Sequence, residues 1–164
     1  MTLADLDERI KKCKKCRLWK TALNAVPGEG SLAAKTMLVG QNPGVEEDKV
    51  GRPFVGRSGK FLNKVLADNG IERGSLFVTN IVKHATPNNR KPLPDEIAAC
   101  LPYLECQISS IKPEIVVLMG AVAWQTTRTE GVRYMETVHP SAAMRFAKMR
   151  KRFEEGFAQL KSRL

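Results

Sequence analysis

The feature that most restricts the fold is a set of short apolar runs set between segments of helical periodicity. Lys35–Gly40 (KTMLVG), Leu76–Asn80 (LFVTN), Ile115–Met119 (IVVLM) and Met135–Val138 (METV) have strand length. The first three are nearly continuous in apolar residues, as strands covered on both faces must be. Leu3–Lys11 has helical spacing. So does Lys60–Asn69, through Phe61, Leu62, Val65 and Leu66, with Gly70 as its cap. Pro94–Ile111 reads as a helix despite Pro102, and Gly120–Thr127 as the start of another. Ala142–Leu164 repeats Phe146, Met149, Phe153, Phe157, Leu160 and Leu164 on one helical face. Strands alternating with helices predict a three-layer α/β/α sandwich around a central, mainly parallel four-stranded sheet. No repeat, low-complexity tract or linker divides the chain, so residues 1–164 are expected to form a single domain.

In an open α/β sheet, ligands bind beyond the carboxyl ends of the strands. Gln41 and Asn42 follow the first run directly, Asn80 ends the second, and His139 follows the fourth. Four polar side chains from three strand ends are therefore expected around one crevice. Val45–Gly59 between them reads as an acidic loop leading to Phe54 and a Gly-rich approach to a helix. VGRSGK (55–60) fails as a phosphate loop, because phenylalanines stand at 54 and 61. Nucleotide hydrolysis is set aside.

The formal net charge is +10, which points to an anionic partner, nucleic acid first. No apolar run reaches transmembrane length, and Met1–Lys12 has no apolar core segment. The expectation is a cytoplasmic monomer with no membrane partner. Cys13 and Cys16 form C-K-K-C after a helix, a spacing that suits a metal or cluster. A redox pair normally follows a strand.

Taken in order, these pieces resemble the uracil-DNA glycosylase superfamily, most closely its iron–sulfur (family 4 type) branch. The matching stretches are CKKCRL (13–18), GQNPG (40–44), EEDKVGRPFVGRSG (46–59), VTNIVKHATPNNRKPLP (78–94), CLPYLECQI (100–108) and VHPSA (138–142). The resemblance implies a monofunctional enzyme that hydrolyses the N-glycosidic bond of uracil in DNA. It implies base flipping into a pocket and an abasic-site product. Asn42 is the candidate for holding the attacking water, and His139 for stabilising the departing base. Gly40, Gln41, Phe54 and Asn80 are the substrate-binding candidates. The Phe54 ring would stack on the base, an interaction worth roughly 1–3 kcal/mol. Asn80 would read its O4 and N3–H edge. Asn89 is a secondary contact or part of a turn. Glu47 and Asp48 are secondary candidates for assisting the water, and read first as solvated loop acids. Ser141, Arg145 and Lys148 are the DNA-binding candidates.

The first motif departs from the iron–sulfur branch, which usually has Glu and a small residue where Gln41 and Asn42 stand. Gly-x-Asn-Pro-Gly is instead similar to the mismatch-specific and single-strand-selective branches. A broader glycosylase for hypoxanthine or xanthine is therefore an alternative, as is a low-turnover damage-binding protein. The cluster motif departs too. The family's four cysteines are matched by Cys13, Cys16 and Cys100, but His84 stands at the third position. The resemblance implies a 4Fe–4S cluster held by Cys13, Cys16, His84 and Cys100, organising a DNA-facing loop. Cys106 in place of His84, or zinc in place of iron, is the alternative; otherwise Cys106 reads as a buried small apolar residue.

Overall fold

The computed structural model describes residues 1–164. The chain runs α1 (Leu3–Lys11), β1 (Glu29–Gly30), β2 (Thr36–Gly40), α2 (Val45–Val50), α3 (Arg57–Asp68), β3 (Phe77–Asn80), α4 (Pro94–Ile111), β4 (Ile115–Met119), β5 (Arg133–Thr137), α5 (Pro140–Arg145) and α6 (Ala147–Ser162). Strand order is β1-β3-β2-β4-β5. β1 pairs antiparallel with β3, and every other pairing is parallel. The chain turns to β3 on one side of β2 and to β4 on the other. The crevice at that reversal is where such sheets take ligands.

The strands alternate between two apolar layers. Met37, Val39, Val116 and Leu118 face α4, packing with Ile97, Leu104 and Ile108. Leu38, Val78, Ile115 and Val117 face α3 and α6, packing with Leu62, Val65, Phe153 and Phe157. Period-two alternation thus sends each strand's residues to opposite helix layers. α1 covers the outside of α4 through Leu6, Ile10 and Tyr103.

The helix ends follow local chemistry. Thr2 and Asp5 form a reciprocal capping box on α1. Pro94 opens α4, where the missing N–H leaves no bond unmade. Gly70 ends α3 with φ +64°, and Ile71 N–H reaches back to the Leu66 carbonyl.

The expected α/β/α sandwich is present, with differences in detail. β1 joins the four expected strands as a fifth; two residues are too few to show a period. The acidic loop contains helix α2, whose first turn is Glu-rich and so complements the helix dipole. Gly120–Thr127 yields only a short 3-10 turn, Ala123–Gln125. The last segment starts at Pro140 and breaks at Phe146, whose backbone is extended. That break lets α6 lie along the sheet while α5 stays at the strand ends.

Candidate active site

Gly40 pairs with Asn80 across β2 and β3, so the two strands end level. A Cβ on Gly40 would lie 2.4 Å from Phe54 Cζ and 2.5 Å from Asn80 Oδ1. Only glycine lets the ring and the amide meet over the strand end. Asn80 is 1% exposed, and its Oδ1 has no hydrogen-bond partner. A buried amide oxygen left unmatched in a folded protein marks a place for a ligand donor.

Asn80, Asn42, Gln41, Phe54 and His139 all line one cavity of about 140 Å³, together with Glu47, Ser58, Asn89 and Ser141. The polar strand ends therefore converge as the sequence predicts. Phe54 also packs in the α3–α6 apolar layer, so one ring is both core anchor and pocket wall. Its centroid is 5.9 Å from that of His139, tilted by 32°.

Asn42 is held on both sides. Gln41 Nε2 donates to its Oδ1 at 3.0 Å, and its own Nδ2 donates to the Pro43 carbonyl at 2.9 Å. Nδ2 also approaches Asn89 Oδ1 at 3.4 Å. Asn88 and Asn89 both have left-handed backbone, φ +55° and +54°. The turn reading of this pair is right, and the turn delivers Asn89 to the pocket.

The expectation that Glu47 and Asp48 are solvated is corrected. Glu47 accepts from the N–H groups of Gly44 (3.1 Å), Val55 (2.8 Å) and Gly56 (2.6 Å). It fastens the Phe54 loop to the start of α2. Asp48 is 9% exposed and accepts from Leu23 and Asn24 N–H, tying down the segment before β1. A carboxylate satisfies several orphaned amides at once, which is why these acids turn inward.

His139 is the N-cap of α5. Its Nδ1 accepts from Ser141 N–H at 3.1 Å and lies 2.8 Å from Ser141 Oγ. An N–H can only donate, so Nδ1 must carry a lone pair and the neutral ring has its proton on Nε2. Burial pushes the imidazole down to about 4, with Glu47 pulling weakly the other way. His139 is therefore neutral at physiological pH, with one N–H to offer. Ser141, expected on phosphate, gives its N–H and hydroxyl to this histidine. Arg145 closes α5 and Lys148 stands in the first turn of α6; both are exposed and neither lines the cavity.

Three groups escaped sequence reading. Glu96 is fully buried and accepts from Arg90 (2.8 and 2.9 Å) and Arg17 (3.1 Å). Arg90, then the Leu93 N–H and Arg17, hold its carboxyl down at about 2 against the cost of burial, and the Arg90 pairing fixes the Asn88–Arg90 turn to α4. Lys83 is fully buried, donating to Thr79 Oγ1, the Asn80 carbonyl and Gln107 Oε1. Ser58 comes to the pocket in the first turn of α3. R-S-G before an apolar helix offered the only hint of it.

Cys13, Cys16 and Cys100 are free thiols, the first and last buried. Burial pushes the Cys100 thiol up to about 11. Cys13 and His84 line one cavity of about 300 Å³ after α1. His84 is buried with its Nδ1 unpartnered. Three soft sulfurs and an unmatched imidazole nitrogen fit an iron–sulfur cluster or zinc as a donor set. No three such side chains are drawn together to ligating distance. Cys106, expected to be buried, is exposed. Six residues turn it roughly 240° around α4 from Cys100, away from the sheet.

Residues 27–161 match the family description "Uracil DNA glycosylase superfamily". The chain is similar to the type-4 uracil-DNA glycosylase of Sulfurisphaera tokodaii, 40% identical with 98% of this chain and 84% of the relative covered. It is similar to that of Saccharolobus solfataricus, 39% identical with 96% and 84% covered. A third relative of that name, from Archaeoglobus fulgidus, is 34% identical with 97% and 92% covered. With the strand-end pocket and these likenesses together, the chain belongs to the uracil-DNA glycosylase superfamily, alongside its type-4 members.

Proposed function

We propose that this chain is a monofunctional uracil-DNA glycosylase that leaves an abasic site for base excision repair. The observation that carries the reading is the unpartnered Oδ1 of buried Asn80, in the same cavity as a neutral His139 with its proton on Nε2. Uracil presents the complement: an N3–H for Oδ1 and an O4 for the Asn80 amide N–H. Cytosine has an amino group at that position and a lone pair on N3, so donor would face donor at the amide N–H and acceptor would face acceptor at Oδ1.

The flipped uracil stacks on Phe54. As the C1′–N1 bond breaks, its electron pair passes to the base, and charge builds on O2. The His139 Nε2–H donates to that oxygen without surrendering its proton. Asn42, oriented by Gln41 and set beside Asn89, holds a water at C1′. Its oxygen bonds the oxocarbenium-like carbon as the base departs, and the water's proton leaves to solvent. An amide is a poor base, but positioning suffices when bond breaking leads. Arg145 and Lys148 take backbone phosphates on the rim, so binding weakens with salt.

Cys13, Cys16, His84 and Cys100 would hold a 4Fe–4S cluster. When bound, it supplies a structural cross-link between the segment after α1, the loop after β3, and α4. Base hydrolysis needs no electron transfer. Visible absorbance and iron and zinc analysis of anaerobically purified protein test this, with Cys100→Ala expected to lose the metal.

The functional test is release of free base from a panel of duplexes carrying single uracil, hypoxanthine or xanthine lesions, with Asn42→Ala and His139→Ala in parallel. Uracil release that falls at least roughly 100-fold in both variants is expected. Unchanged rates in both would remove the assigned roles. Binding without release would favour a damage sensor.

A further inference from the structure

Phe54 holds φ at +49°, a left-handed conformation that bulky residues rarely adopt. Such strain persists only where the surroundings over-determine it. Gly59 permits it: a Cβ there would lie 2.0 Å from the Phe54 carbonyl oxygen, so only glycine admits α3 this close. Glu47 fixes the loop just beyond, through Val55 and Gly56 N–H. The remaining restraint comes from outside the pocket.

Arg73 lies in the short turn before β3 and does not line the cavity. Its Nη1 donates to the Phe54 carbonyl at 2.9 Å and to Asn63 Oδ1 at 2.8 Å. Its Nη2 donates to the Pro53 carbonyl at 2.7 Å and meets Glu29 Oε1 at 3.3 Å. Arg52 holds Glu29 from the other side at 2.9 and 3.0 Å. The guanidinium side chain is only 21% exposed. One rigid fork therefore grips both carbonyls of the strained peptide pair, which a single ammonium cannot do in the same geometry.

We infer that Arg73 is a positioning residue for base capture: its fork holds the Pro53 and Phe54 carbonyls so that Phe54, in a left-handed backbone, turns its ring to the extruded uracil. The inference rests on the reading of Phe54 as the stacking ring. Arg73 does not line the cavity, so it acts on the base through that ring.

The test is a double-mutant cycle of Arg73→Lys and Phe54→Ala, read by single-turnover uracil release at saturating enzyme. Affinity for an abasic-site duplex and thermal unfolding are measured on all four proteins. Arg73→Lys is expected to slow release about tenfold in the parent, the scale of one charge-assisted hydrogen bond. In the Phe54→Ala background the same change is expected to matter less than about twofold, because the ring it serves is gone. Affinity for the abasic duplex stays level throughout. Equal loss in both backgrounds, or release falling in step with abasic-duplex affinity, overturns the inference and leaves Phe54 its role. Parent-like release by Phe54→Ala overturns the stacking reading and the inference with it. Arg73→Gln, which keeps a donor for one carbonyl, runs as a second arm with the same expected coupling if the lysine variant does not fold.

Discussion

Replacing Gly40 with alanine is expected to abolish most excision while leaving a folded protein. The added Cβ would stand 2.4 Å from Phe54 Cζ and 2.5 Å from Asn80 Oδ1, where ordinary contact begins at 3.4 Å. The ring or the strand must therefore give by about 1 Å, the difference 3.4 − 2.4. Phe54 is 5% exposed and Asn80 1%, so the space open to either is the base pocket itself, and any retreat from the new Cβ deforms that pocket. A displacement of about 1 Å at a reacting site costs on the order of 100-fold in rate. Overpacking of this kind costs about 1–3 kcal/mol of stability. For a domain of this size each kcal/mol lowers the melting temperature by roughly 2–4 °C. The assay is single-turnover uracil release with enzyme in excess, paired with thermal unfolding. Gly74→Ala is the control, because a Cβ there meets nothing within 4 Å and the backbone is not left-handed. Gly40→Ala release within about twofold of the parent would refute the reasoning. It would mean that the ring and amide over β2 do not grip the base.

Asn80→Asp removes the donor to O4 and is expected to slow uracil release roughly 100-fold without unfolding the protein, as duplex excision and circular dichroism would show. Release is expected to be level from about pH 6 to 8 and to fall near pH 4, where His139 protonates and its Nδ1 can no longer accept from Ser141. The folded value of His139 lies below its unfolded value of 6.5, so the unfolded chain takes up the proton first. Stability is then complete above 6.5 and declines as pH falls toward 4. Denaturant titrations across that window check the sign. Glu96 acts lower down: its stabilisation is whole above the unfolded value of 4.5 and is lost as pH falls toward 2. With Arg17 half exposed, it is worth roughly 2 kcal/mol. Glu96→Gln is expected to lose that stability at pH 7 and to flatten the acid limb in the same titrations.

The catalytic candidates were legible because each stands where a strand stops. Asn42, Asn80 and His139 are short-range facts of the chain: an apolar run, then an amide or imidazole. Their meeting follows from parallel strands ending on one side of a sheet. The charge environment was not legible. Glu47 looked like one acid among three in a loop, and only the folded chain brings the amides of Val55 and Gly56 to it. Cys106 looked like a core residue because helical phase relative to the sheet cannot be read from six residues. That Ser141 fixes the tautomer of His139 was not legible, because the hydrogen bond forms only with α5.

By itself the sequence determined the layered α/β class and the crevice where the polar strand ends meet. Both follow from local periodicity and from the single way right-handed crossovers return parallel strands. Tertiary structure alone decided what orients those side chains. The Arg73 fork on Phe54, the Arg90–Glu96–Arg17 bridge and the Lys83–Gln107 bond join residues 19, 6, 79 and 24 positions apart. All but the bridge's short Arg90–Glu96 arm join residues far apart in the chain. Whether two such groups come within hydrogen-bond reach depends on packing distances of a few tenths of an ångström, which no local pattern encodes.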